Sequence, residues 1–405
     1  MKYLKANKNI ILLIFILIIF FIISIFSIYS SKFIVSKDFE TLYFKQIIWY
    51  IIGFILLIIL TSIKNNKILK FAYLIYIINC ILLLLVLFFG TSINNARSWF
   101  TIPFIGNFQP SEFMKFSLIL VLSKVIQNYH FKNEQTLKSE ITLVIKTLIL
   151  TIIPSILVFI EPDTGIVIFY ILIFLFTLFT SGLRLRWFII FFSIIAGFLT
   201  AFFIIYFNFK ELFVNIFGNS FFYRIHRILD WTNTSGMQLE NSLIAIGSAG
   251  VLGHGINNTP VYFPEAHTDF IFAVFTSNFG FVGAVILILL ILIFDLLLIR
   301  TALKTSKTIN KIIIGGILIC FIYAQIQNIA MTIGLLPITG IPLPFISYGG
   351  SNLIVYFIMI AIIINIMKEE KNGIDLKWFL RYNYNEQRFV ILWIIMLIEI
   401  YYVLI

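Results

Sequence analysis

Charge is what this chain of 405 residues has least of: 12% are Asp, Glu, Lys or Arg, against 61% hydrophobic. So little polar surface cannot clothe a water-soluble globule of this length, which leaves lipid as the solvent. Cysteine is scarce too. Cys80 and Cys320 lie far apart, each inside an apolar run, so neither a disulfide framework nor a thiolate metal site is indicated, and both read as buried thiols. Acids are few beside bases, which gives a net charge of +11. The bases form short clusters between apolar runs, with no extended basic face, so the excess reads as membrane topology and excludes a nucleic-acid partner.

What the chain does have is long apolar runs. A bilayer core of about 30 Å needs about 20 apolar residues per helix, and lipid satisfies no backbone groups, so helix is forced. The predicted spans are 9–30, 46–63, 68–90, 110–127, 141–160, 164–181, 187–207, 269–299, 309–333 and 347–367, with a candidate eleventh at 389–405. Lys2, Lys5 and Lys8 ahead of the first run imitate a secretory signal. The run from Ile10 to Tyr29 is longer than a signal core and no small-residue cleavage site follows it, so it reads as an uncleaved span. The expected fold is an all-α polytopic membrane protein of about ten transmembrane helices, with a large outer loop, 208–268, between the seventh and eighth. Residues 1–367 form the transmembrane domain; 368–405 form a cytoplasmic linker and the candidate additional helix.

Orientation follows from the bias of Lys and Arg towards cytoplasmic loops. One set of alternating loops holds the N-terminal lysines, then Lys64, Lys67 and Lys70, then Lys124, Lys132 and Lys138, then Arg184 and Arg186, then Arg300, Lys304, Lys307 and Lys311. That set is expected to face the cytoplasm. The other comprises 91–109, the Glu161-Pro162-Asp163 turn, 208–268 and the nearly uncharged 334–346. Lys32, Lys37 and Lys45 make the first outer loop an exception. Within the long outer loop, Leu239 to Ile246 reads as a short amphipathic helix leading into a glycine cluster, 247–255. No strand precedes that cluster and no Lys-Ser or Lys-Thr follows, so it reads as tight turns and close backbone packing, not as a phosphate loop.

Polar chemistry concentrates in four places on the outer side. The first is Pro264-Glu265-Ala266-His267-Thr268-Asp269, where the outer loop re-enters the membrane; charge at such a depth usually has a task. The competing explanation is that Thr268 or Asp269 merely caps the next helix. Second, Gln109-Pro110-Ser111-Glu112 opens the fourth span, with Lys115 three residues after Glu112 and so on the same face. A good helix start with an internal ion pair explains it equally well. Arg97 and Trp99 just before it suit an interfacial anchor. The third is 334–351, whose prolines and glycines forbid a continuous helix although it is apolar; broken backbone at that depth must line a cavity or be buried in protein. The fourth, Glu161 to Gly165, borders the same side and reads most simply as a solvated turn.

Taken together, these residues resemble the SEDS family (shape, elongation, division and sporulation), which includes RodA, FtsW and SpoVE. The matching stretches are Ala96 to Lys115, Glu161 to Gly165, Ser242 to Gly255, Pro264 to Ala273, and Asn328 to Ser351 with its Pro-Phe-Ile-Ser-Tyr-Gly-Gly-Ser. Departures are Glu161, where the family commonly has Gln, and Ser277-Asn278, where it has a pair of acids. Thr339-Gly340-Ile341-Pro342 leans towards the RodA branch. The resemblance implies a peptidoglycan glycosyltransferase of the bacterial cytoplasmic membrane, with its N-terminus cytoplasmic and its site facing outward, polymerising lipid II. It implies as partners a class B penicillin-binding protein, other elongation or division machinery, and membrane lipids. Asp269 matches the essential aspartate and is expected to act as general base, with Glu265 and His267 orienting it. Trp99, Glu112, Lys115, Ser347 and Ser351 are expected to bind substrate. Arg97, Arg224, Arg227, a divalent cation such as Mg or Mn, or Lys115 where it is not committed to Glu112, is expected to meet the leaving diphosphate. A lipid-linked sugar flippase and a catalytically silent scaffold are the alternatives.

Overall fold

The computed structural model describes residues 8–31, 41–93, 96–102, 106–131, 136–219, 221–223, 225 and 236–371. Every predicted span from the first to the tenth coincides with helix. In chain order these are α1 (Lys8–Ser31), α2 (Leu42–Leu60), α3 (Asn65–Lys70), α4 (Ala72–Phe89), α5 (Pro110–Phe131), α6 (Leu137–Ile160), α7 (Thr164–Thr180) and α8 (Leu185–Asn208). They continue with α9 (Lys210–Phe217), α10 (Gly236–Ser248), α11 (Ile271–Lys304), α12 (Thr308–Thr332) and α13 (Gly350–Lys371). Among the described residues, eight helices are long and apolar enough to cross a membrane. Two helices at predicted spans fall outside that set: α7 has 17 residues, and α5 carries Glu112, Lys115 and Lys124. The run 389–405, the first outer loop's Lys32 and Lys37, and Lys132 lie outside the described residues.

Burial sorts these helices by position. The apolar stretch of α12 is 89% buried and that of α13 78%, whereas α8 reaches 6%, so α12 and α13 form the centre and α8 the periphery. A central α5 touches α4, α6, α7, α12 and α13. Peripheral α8 is held at its start, where the buried Glu140 of α6 accepts from Arg184 Nε at 3.1 Å, Arg186 Nη2 at 2.7 Å and Trp187 Nε1 at 2.8 Å. Away from that clamp, α8 packs chiefly on α9 through an aromatic cluster of Tyr206, Phe213 and Phe222.

One small element beside the helices is a sheet. Described residues between 91 and 108 form a three-stranded antiparallel sheet of β1 (Thr91–Ile93), β2 (Ala96–Ile102) and β3 (Gly106–Phe108), with Thr91 opposite Trp99 and Phe100 opposite Phe108. β-Branched and aromatic residues fill its strands, and such residues suit a pleated, half-buried surface. The same residue types also serve as headgroup anchors, which is how the segment reads in isolation.

The glycine cluster is explained by close approach. α11 is broken at Gly280 (φ 66°, ψ −164°), and the loop after α10 plugs the break. Val282 and Phe281 N–H donate to Val251 and Gly250 carbonyls, while His254 and Gly255 N–H donate to Ser277 and Asn278 carbonyls. A Cβ on Gly253 would lie 2.3 Å from the Asn278 oxygen, and one on Gly280 would lie 2.4 Å from the Gly253 nitrogen. Either glycine changed to alanine is therefore expected to destabilise the chain by roughly 3 kcal/mol. A thermal midpoint in detergent within a degree of wild type for Gly280→Ala would contradict this account.

Candidate active site

α5, α7, α11 and α13 all begin at one end of the bundle, opposite the end that carries Lys64, Lys67, Arg300, Lys304 and Lys307. Between those helix starts lies a cavity of about 450 Å³, closed on one side by the sheet and on another by the broken segment 334–349. Its walls bring together Trp99, Glu112, Lys115, Glu265, His267, Asp269 and Ser351 from distant parts of the sequence.

Asp269 is presented by the turn 264–270, ahead of α11 and outside the spanning helix. Each neighbouring carbonyl of that turn is tied down. Tyr348 N–H donates to the His267 oxygen at 2.9 Å, Ser347 Oγ to the Thr268 oxygen at 2.6 Å, and Asn328 Nδ2 to the Asp269 oxygen at 2.8 Å. Asn328 also donates to Ile341 at 2.9 Å, joining the turn to the broken segment. The N-cap position of α11 is Phe270, with no side-chain cap, so neither Thr268 nor Asp269 plays the capping role that spacing allowed. Gly340, in left-handed backbone at φ 70°, passes so close that a Cβ there would lie 3.4 Å from Asp269 Oδ2. Burial pushes the Asp269 carboxyl up to about 7, and the nearby Glu265 and Asp163 carboxyls add to the rise. Such a value makes the group a competent base near neutrality.

Around it, Glu265 accepts from Thr268 Oγ1 at 2.7 Å, and burial lowers His267 below the usual imidazole range against the opposing pull of Glu265. Lys115 Nζ lies 2.6 Å from Glu112, both side chains almost fully buried, and 4.2 Å above the Phe169 ring centroid. Ser351 Oγ donates to the Asn107 oxygen and accepts from Gln109 N–H, fastening α13 to β3 and to the start of α5. Not every expected contact forms. Ser347 is spent on backbone, accepting from Leu343 N–H as well as donating to Thr268, and does not line the cavity. Arg97 is exposed, with Nη1 3.4 Å from the Leu87 carbonyl at the end of α4, and is absent from the cavity wall. Arg224 and Arg227 lie outside the described residues. Among the described lining residues, Lys115 is the only lysine or arginine.

The turn after α6 is not solvated, contrary to its simplest reading. Glu161 is buried, and Asp163 lines the cavity while capping α7: its Oδ1 accepts from Ile166 N–H at 3.2 Å and its Oδ2 from Gln109 Nε2 at 3.0 Å. Burial pushes Asp163 up to about 6. Sequence reasoning missed Asp163 as a second cavity carboxylate, although an acid directly before a helix at the polar end was a usable signal. It also missed Trp49, which lines the cavity from α2 with its ring laid against Gly350 and Gly106; nothing in the sequence around Trp49 betrays that contact. No group of three or more His, Cys, Asp or Glu among the described residues could hold a metal ion.

Residues 9–372 match the model of the FtsW/RodA/SpoVE cell cycle protein family. The chain is 33% identical over 349 residues to a probable peptidoglycan glycosyltransferase FtsW of Wigglesworthia glossinidia brevipalpis, covering 83% of this chain and 86% of that one. It is 32% identical over 329 residues to the peptidoglycan glycosyltransferase MrdB of Escherichia coli K12, covering 79% and 84%. Among solved structures, a chain from a peptidoglycan synthase complex that coordinates polymerization and crosslinking superposes with a TM-score of 0.73 at 22% identity, covering 92% of this chain and 100% of that one. The rod shape determining protein RodA of Thermus thermophilus superposes at 0.65, also 22% identical, covering 91% and 99%.

Proposed function

The chain belongs to the FtsW/RodA/SpoVE cell cycle protein family, and from that premise we propose that it is a peptidoglycan glycosyltransferase joining lipid II units into glycan strands. The observation that carries this reading is the Asp269 carboxyl: outside any cap, raised towards neutrality, and facing a cavity wide enough for a saccharide. Asp269 takes the proton of an acceptor sugar hydroxyl as that oxygen attacks the anomeric carbon of a second lipid-linked sugar. A diphosphate leaves from that carbon with its charge growing, and Lys115, paired with Glu112 at 2.6 Å, is the one lysine or arginine among the described cavity residues placed to meet it. Glu265 and His267 orient and tune Asp269; Trp99 and Ser351 line the sugar's path.

Membrane orientation follows the charge bias: the basic end faces the cytoplasm, with the N-terminus, and the cavity opens outward in the bacterial cytoplasmic membrane. The described residues bring no three His, Cys, Asp or Glu side chains together to hold a resident Mg or Mn ion, and the step is carried by Asp269 and Lys115. As partner we propose a class B penicillin-binding protein, in line with the crosslinking function of the complex to which the fold is similar. Thr339-Gly340-Ile341-Pro342 favours the RodA branch, although relatives of both branches match at nearly equal identity. A tagged chain distributed along the side wall supports that branch; confinement to the septum overturns it.

The deciding experiment reconstitutes the purified chain in vesicles with lipid II. Growth of glycan strands is the expected result. Movement of lipid II across the bilayer with no polymer formed would instead support the flippase reading, against which stands the gathering of cavity carboxylates at one end of the bundle.

A further inference from the structure

Among the described residues at this end, Glu161 is the one buried carboxyl that neither the cavity nor an ion pair uses. It caps the last turn of α6, is 1% exposed, and neither of its carboxyl oxygens has a hydrogen-bond partner among the described residues. The Ser98 hydroxyl on β2 donates to the Glu161 backbone oxygen at 3.4 Å and stands close to its carboxyl. Around it stand the Asp163 carboxyl in its own turn and the Tyr170 ring of α7, whose hydroxyl donates to the Ser111 carbonyl of α5 at 2.8 Å. The charges on α5, Glu112 and Lys115, are bound to each other, and Arg97 on β2 bonds away towards Leu87. No lysine or arginine among the described residues pairs with Glu161.

A bare carboxylate in that enclosure would be an unpaired buried charge, among the most costly arrangements a protein can hold. A neutral carboxylic acid would be close in shape and polarity to a carboxamide. Two residues on, Asp163 caps α7 and binds Gln109, whose own N–H is held by Ser351 at the start of α13. Whatever shifts Glu161 therefore pulls on three walls of the cavity. We propose that Glu161 works only as the neutral acid, a positioning residue whose deprotonation unseats the Asp163 turn and shuts the site off at alkaline pH. This rests on the cavity being the active site. Burial pushes Glu161 up to about 8, with the Ser98 hydroxyl opposing and the Asp163 charge adding to the rise, so the switch falls within reach of experiment.

The test compares wild type with Glu161→Gln, both as full chains in lipid nanodiscs. For wild type, lipid II polymerisation is expected to fall about tenfold for each pH unit above the titration. Glu161→Gln should keep the neutral-pH rate and lose that alkaline limb. A second readout needs no turnover. The folded-state value is raised above the ordinary 4.5, so the unfolded chain releases this proton first and wild-type stability declines as pH rises from about 4.5 to about 8, then levels. Hence the thermal midpoint of Glu161→Gln should pull ahead of wild type across that window and hold its lead above it. Identical alkaline limbs, identical midpoints, or a Glu161→Gln chain that fails to fold would each overturn the proposal. If neither chain polymerises lipid II at any pH, the active-site reading fails, while the midpoints still decide whether Glu161 is held neutral.

Discussion

Asp269→Asn should lower glycan polymerisation by about 10²–10⁴-fold, the range a positioned general base contributes, while leaving the chain folded. The substitution is isosteric and removes no hydrogen bond, because none of the described residues bonds the Asp269 carboxyl; the turn is held through its backbone by Asn328, Ser347 and Tyr348. Wild-type turnover should show an acid limb near 7, since the base works only when ionised and its folded value stands at about 7. Activity is then present above that pH and falls roughly tenfold per unit below it, and any residual activity of Asp269→Asn should be flat there. Stability should move the other way. A carboxyl raised from the ordinary 3.8 in the folded chain weakens the fold progressively as pH rises from about 4 to about 7, so the asparagine chain should be more stable at neutral pH, on the order of 1–3 kcal/mol. Lost turnover with a raised thermal midpoint marks a functional group kept at a cost to stability. Equal strand synthesis by the two chains would remove Asp269 from the mechanism.

Opposed effects of this kind explain which features could be read from sequence. Helices were legible because lipid imposes one length and one backbone solution on every span: α1, α2, α4 to α8 and α11 to α13 followed from apolar runs and α10 from amphipathic spacing, whereas α3 was merged with α4 and α9 was left inside the outer loop. The Asp269 turn was legible as a charge placed where charge is expensive. Segments governed by local packing were not. Trp99 and Phe100 look the same as membrane anchors or as strand residues, and only pairing with Thr91 and Phe108 separates the two. Glu161 looks solvated because a Glu-Pro-Asp turn usually is; its burial depends on Ser98 and Tyr170, remote in sequence. Arg97 erred the other way. Its charge made it a natural diphosphate ligand, but its guanidinium reaches back to the Leu87 carbonyl at the end of α4, while its neighbours Ser98 and Trp99 line the cavity.

With Arg97 displaced, the case for cation assistance passes to Lys115, and its removal should have two separable consequences. Lys115→Met leaves Glu112 buried without its partner at 2.6 Å, and an orphaned charge of this kind costs about 3–5 kcal/mol. Glu112→Gln should cost less, because Lys115 keeps the faces of Phe169 at 4.2 Å and Tyr356 at 5.5 Å. Thermal midpoints in detergent should therefore rank wild type first, Glu112→Gln second and Lys115→Met last. The double variant, Glu112→Gln with Lys115→Met, removes both charges and should recover most of the stability that Lys115→Met loses. Its polymerisation should stay low, since no other lysine or arginine among the described residues faces the cavity to meet the departing diphosphate. If the double variant instead polymerises lipid II at the wild-type rate, the pair only makes two charges tolerable inside α5, and leaving-group stabilisation must come from elsewhere.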